Sequence, residues 1–213
     1  GEFLDARGYG REVRELYLIP MAACIWSTPA TQINRFPMQT FLHFCSNHGL
    51  LAVSNRPQWR TVKGGAREYV RKLLAGIPDL RLAQAVRAVI TLAGGVEVAT
   101  DVGSERYDEV VMACHSDQSL RLLDRADADV RALLGAIRYQ PNRAVLHTDT
   151  SVLPRRRRAW AAWNYERAMD RSQEDARVCL HYLINRLQPL PWQTPVIVSL
   201  NPLRTIRPEA VLG

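Results

Sequence analysis

The chain has 213 residues, enough for one large domain or two small ones with a buried core. Hydrophobic residues make up 47% and charged residues 23%, a globular balance that excludes a disordered, collagenous or coiled-coil chain. The net charge of +7 is carried almost wholly by arginine, since Lys63 and Lys72 are the only lysines, and the basic residues are mixed with acids along the chain. Such a balance suits nucleic acid, an anionic membrane surface or an anionic ligand without selecting among them.

In chain order, Gly10 to Trp26 reads as a helix, with Val13, Leu16, Tyr17, Met21 and Cys24 at three- and four-residue spacing and a kink or break at Pro20. A second helix is predicted after Pro37, with Phe41, Phe44, Cys45 and His48 on one side and Gly49 as its stop. Gln58 to Val62 reads as a short strand or extended segment, Gly64-Gly65 as a turn, and Ala66 to Ala75 as a helix. Val86 to Leu92 and Val96 to Thr100 form a predicted hairpin about Gly94-Gly95. Tyr107 to Ala113 is expected as a strand buried on both faces, as in a parallel sheet, because Val110, Val111 and Met112 run together.

Helices are expected at Ser116 to Leu123 and Ala126 to Ile137. Strands are expected at Ala144 to His147, Ala159 to Tyr165, Val178 to Asn185 and Val196 to Leu200. The alternation from Val178 to Leu183 suits a half-buried antiparallel sheet. The predicted class is α+β, with a middle block belonging to one domain and its flanks to another. The longest apolar stretch, Leu16 to Trp26, falls short of the ~20 residues of a spanning helix and is broken by Pro20. The chain opens Gly1-Glu2-Phe3, with no leader pattern, and reads as an internal piece of something longer.

Cys24, Cys45, Cys114 and Cys179 are far apart in apolar surroundings, which predicts buried reduced thiols and a cytoplasmic location. There is no Cys-x-x-Cys pair. His43 with Cys45, and Cys179 with His181, are two apart and could pair as ligands on a strand face. With no third or fourth ligand at a sensible spacing, no metal is expected. The Arg155-Arg156-Arg157-Arg158 block reads as a phosphate or lipid-headgroup patch, or as a solvated turn. Gly8-Tyr9-Gly10 lacks both a preceding strand and a third glycine, so it is no dinucleotide fingerprint, and no Walker loop or Gly-x-Ser-x-Gly elbow is present.

Three runs go further: Trp59-Arg60-Thr61-Val62-Lys63-Gly64-Gly65-Ala66, Leu82-Ala83-Gln84-Ala85-Val86-Arg87-Ala88-Val89, and Tyr107-Asp108-Glu109-Val110-Val111-Met112-Ala113-Cys114-His115. In this order they resemble segments of the flavin-containing amine oxidase superfamily. The runs Tyr17 to Met21, Ala23 to Ser27, Asn47 to Leu51 and Arg138 to Arg143 are similar to a bacterial group of NAD/FAD-binding, amine-oxidase-like proteins. The resemblance covers nearly the whole chain.

It implies part of an FAD-binding α/β domain (residues 53–124), interleaved with a substrate domain of helices (1–52) and of a helix and mostly antiparallel sheet (125–213). The implied chemistry is removal of a hydride equivalent from an amine or an apolar, lipid-like substrate, as in amine oxidases and desaturases, with FAD as acceptor. The resemblance assigns Gly64, Gly65, Val86, Ala113 and Cys114 to the cofactor. Gly64-Gly65 admits close backbone packing beside the flavin.

Two departures follow. The family's Gly-x-Gly-x-x-Gly opening and its late flavin motif have no counterpart here, so tight FAD binding is expected of the parent protein rather than of this piece. Arg143 also stands where many amine oxidases carry a lysine near the flavin. As a permanent cation it would bind an anionic substrate or stabilise reduced flavin. Trp26, Phe41, Phe44 and Trp59 are candidates to line an apolar substrate channel. The alternatives are a non-catalytic arginine-rich module for anionic lipid or nucleic acid, and a remnant of a flavin fold acting as a partner subunit. Nucleic acid is not the expected partner, because acids are scattered among the arginines.

Overall fold

The computed structural model describes residues 2–55, 57–168 and 177–213. It is a mixed α+β fold with two antiparallel sheets. The chain divides into two compact units, one formed by residues 1–70 with 142–213 and the other by residues 71–141.

The first unit opens with α1 (Glu2–Ala6), α2 (Arg11–Val13) and α3 (Ile19–Trp26). Helical backbone runs unbroken from Arg11 to Trp26, as the apolar spacing predicts, with one π-turn over Arg14–Leu18. Pro20 brings no N–H to the ladder, and the widened turn lies just ahead of it. After α4 (Ala30–Ile33), α5 (Met38–Asn47) starts behind Pro37. It ends in a Schellman pair, in which Leu50 N–H donates to the Cys45 carbonyl at 2.9 Å and Gly49 N–H to the Ser46 carbonyl at 3.1 Å. Phe41, Phe44, Cys45 and His48 form its inner side, while Leu42, His43, Ser46 and Asn47 are exposed. On a helix two residues apart means different faces, so His43 and Cys45 do not pair as ligands. Residues 58–62 belong to no sheet, and α6 (Arg67–Leu74) leads into the second unit.

The second unit is a three-stranded antiparallel meander, β1 (Val86–Leu92), β2 (Gly95–Thr100) and β3 (Gly103–Tyr107), followed by α7 (Ser116–Leu122) and α8 (Ala128–Ala136). Ala93-Gly94 turn β1 into β2, and Gly95, paired with Leu92, lets the end of β3 come close. The φ of Gly95 is +135°, and a Cβ there would stand 2.4 Å from the Tyr107 carbonyl oxygen. The expected strand from Tyr107 to Ala113 is not formed. Pairing ends at Tyr107, and residues 109–113 run on without a sheet partner. An apolar run is buried on both faces only where strands and helices flank it. Here Val111 is 91% exposed.

The chain returns to the first unit through β4 (Ala144–His147), β5 (Trp163–Glu166), β6 (Cys179–Leu183) and β7 (Ile197–Leu200). They form an antiparallel sheet in the order β4-β7-β6-β5. The expected strands over Ala159–Tyr165 and Val178–Asn185 are shorter, because 3₁₀ turns take up Arg157–Ala159 and Ile184–Arg186. On one face Val178, Leu180 and Leu200 pack with Ala23 and Ile33. On the other, Val145, Leu183 and Ile197 pack with Val152, Leu153, Ile206 and the half-buried Trp160. β6 is therefore covered on both sides, not half-buried. The polar members of its alternation point into a second packed layer.

Candidate functional site

That second layer holds the densest polar chemistry in the described residues. In register, His181 faces Asn164 on β5 and Ser199 on β7, and Cys179 faces Glu166. The strand period of two places Cys179 and His181 on one face. A continuous chain of hydrogen bonds follows: Asp149 N–H donates to His147 Nδ1 (3.1 Å), His147 Nε2 meets Ser199 Oγ (2.7 Å), Ser199 Oγ meets His181 Nδ1 (2.6 Å), and His181 Nε2 meets Glu166 Oε2 (2.9 Å).

One donor fixes the whole chain. A backbone N–H cannot accept, so His147 Nδ1 is bare and its proton sits on Nε2, which donates to Ser199. The serine hydroxyl then donates to His181 Nδ1, leaving His181 Nε2–H to donate to Glu166. Arg204 closes the line, with Nε donating to Glu166 Oε1 at 2.9 Å.

The electrostatics agree with two neutral imidazoles. Burial lowers the pKa of His181, and burial together with the neighbouring His181 lowers that of His147. Burial pushes Glu166 upward, but hydrogen bonds from His181 and Arg204 outweigh it and hold the carboxyl below its ordinary value. Asp149 is fully buried, yet N–H groups of Ser151 and Arg207 outweigh its burial and hold it well below the usual carboxylate range. The Cys179 thiol is pushed up to about 11 by burial, and its sulfur lies 3.6 Å from His181 Nε2. Sequence reasoning found the Cys179 and His181 pair. It missed Glu166, Ser199 and His147, which strand pairing brings in, and Asp149, two residues past the end of β4.

The residues assigned to cofactor or substrate are distributed as follows. In the second unit Val86, Ala113 and Cys114 line one apolar groove of about 330 Å³, together with Val89, Val98, Val110, Met112 and Leu122. Cys114 is exposed rather than buried, and its sulfur lies 3.2 Å from Ser119 Oγ.

In the first unit Gly64 and Gly65 have φ of +88° and +86°. A Cβ on Gly65 would meet nothing closer than Gln188 Oε1 at 4.0 Å. Trp26, Phe41 and Phe44 cluster, with ring centroids 6.0 and 4.9 Å from the indole. Trp59 joins them through His48, which stacks between it and Phe44. A cleft of about 50 Å³ lies beside Phe36, Met38 and Phe41, and a wider, more polar one of about 610 Å³ shares Phe36 and Met38 with Glu2, Asp5 and Arg35. Arg143, just ahead of β4, is exposed, and its backbone is clamped to the buried Asn201 in both directions (2.9 and 2.7 Å). It takes no part in the histidine chain.

Comparison of the sequence with protein-family models finds no match, and comparison with curated proteins finds none. Among the described residues no helix is long and apolar enough to cross a membrane.

Proposed function

We propose that this chain carries part of an FAD-dependent oxidoreductase of the amine oxidase or desaturase type, taking a hydride equivalent from an amine or an apolar, lipid-like substrate. The observation that carries this reading is the convergence of Val86, Ala113 and Cys114 on one apolar groove. These residues are 27 positions apart in sequence, and the resemblance alone had grouped them. An apolar groove of this size would suit a flat aromatic ring system. Its walls are valine, methionine, alanine and leucine, with one thiol at the rim. Exposed Val111 shows that apolar surface here stands ready for cover.

FAD would contribute two-electron acceptance. Within the second unit Val86 and Ala113 would do the binding by apolar contact. Arg143 would hold an anionic group by permanent charge and cannot act as a base at neutral pH. The aromatic set Trp26, Phe41, Phe44 and Trp59 would favour an apolar substrate.

The test is titration of FAD, and separately of AMP, into the purified chain, followed by fluorescence polarisation and by calorimetry. Saturable binding of both, weakened at least tenfold by A113W, supports the reading. Binding of neither at millimolar ligand, or binding indifferent to A113W, removes it.

A further inference from the structure

We propose that Glu166, Cys179 and His181 form a site for one zinc ion, a centre independent of the flavin reading. Their ligating atoms already lie almost at the corners of a tetrahedral face. His181 Nε2 is 2.9 Å from Glu166 Oε2 and 3.6 Å from Cys179 Sγ, and the sulfur is 3.9 Å from the same carboxylate oxygen. Zinc bonds of about 2.0–2.3 Å give tetrahedral edges of about 3.3–3.6 Å. Shifts of a few tenths of an ångström at one carboxylate would close the face around an ion. The three groups are held by one strand pairing, Glu166 opposite Cys179 with His181 two residues on, so the approach is built by the sheet and not by a flexible loop.

Each ligand also has a partner on its far side. His181 Nδ1 meets Ser199, Glu166 Oε1 is held by Arg204, and the Cys179 sulfur receives the Leu203 backbone N–H. Outer partners of this kind orient ligands for a metal. The donor set of one sulfur, one nitrogen and one oxygen selects a borderline-soft ion and excludes magnesium and calcium, which take oxygen. Cys179 and His181 are closed off from solvent while Glu166 is partly open, so a fourth position for water lies on the Glu166 side.

Uptake balances simply. The Cys179 S–H bond breaks as the zinc–sulfur bond forms, and that proton leaves to the buffer. The His181 proton moves from Nε2 to Nδ1 and is donated to Ser199 Oγ, which then accepts from both histidines. The donations from His181 Nε2–H and Cys179 S–H to Glu166 are given up, and the Ser199 hydroxyl loses its acceptor at His181 Nδ1, against three metal–ligand bonds gained.

The experiment uses the whole purified chain, stripped with chelator, loaded with zinc, dialysed and assayed for bound metal. Cobalt serves as a spectroscopic substitute. One equivalent of zinc should be retained, with a thiolate-to-cobalt charge-transfer band in the near ultraviolet. C179A and E166Q should abolish retention, and S199A should weaken it about 10- to 100-fold. A chain with Cys24, Cys45 and Cys114 all changed to alanine should keep the band, which assigns the sulfur even if C179A does not fold. Retention well under one equivalent in the parent chain overturns the proposal. So does a band lost from the triple variant while its far-ultraviolet circular dichroism is unchanged, or full retention in folded E166Q.

Discussion

At the scale of the residue, Ser199 decides the most. It stands fully buried between two imidazoles, accepting from one and donating to the other. Changing it to alanine orphans His147 Nε2–H and His181 Nδ1 together. We expect a loss of about 1–3 kcal/mol per orphaned group, read as a lower urea midpoint at unchanged slope. His147 adds a pH dependence with a definite sign. Its folded pKa lies below the ordinary value of 6.5, so the unfolded chain binds more protons as the pH falls. In chelator-containing buffer the contribution of His147 should be complete above about pH 6.5 and drain away below it, and H147Q should flatten that slope. Urea midpoints at pH 8, 6 and 5 check this, and an equal slope in H147Q contradicts it.

The element scale shows what the sequence could and could not announce. Helical spacing from Val13 to Cys24 was legible as a helix, but its face was misread: Val13, Leu16 and Tyr17 stand exposed, and Ile19, Ala22 and Ala23 are the buried positions. The hairpin was legible from its glycines, although the turn falls on Ala93-Gly94 and Gly95 opens β2. Substituting G95A should cost at least about 1 kcal/mol, since the new methyl meets the Tyr107 carbonyl and the positive φ disfavours it. Paired urea or thermal melts would measure it. The run Val110-Val111-Met112 misled because composition reports what a segment could bury, not whether neighbours exist to bury it. The β6 alternation misled in the opposite sense. Cys179 and His181 look like solvent-facing residues in a linear pattern, but the register sets them against Ser199 and Glu166 under a second layer. No periodicity encodes which two strands will pair, so four of the six members of that cluster stayed hidden.

For the whole molecule, apolar surface is the dominant unfinished business. In the second unit Val102, Val111 and Leu133 are exposed along with the groove beside β1. An environment-sensitive apolar dye should bind the native chain, and V111K should reduce that signal without lowering the melting temperature. Unreduced fluorescence in V111K would assign the dye to another surface. The arginine turn is a different matter. Arg155 to Arg158 are exposed and Arg157 lies over the Trp160 ring, so the block has a packed anchor on one side only. Replacing all four with glutamine should change the salt dependence of any association and leave stability within about 0.5 kcal/mol.

The one-way orientation set by Asp149 N–H has a consequence in time. In the zinc-free chain the Ser199 hydroxyl hydrogen lies between Oγ and His181 Nδ1 on a fully buried line. Hydroxyl protons normally vanish from magnetic-resonance spectra because solvent exchanges them too fast. This one should persist as a resolved resonance, coupled through space to both imidazole rings, and its lifetime would clock the opening of the sheet.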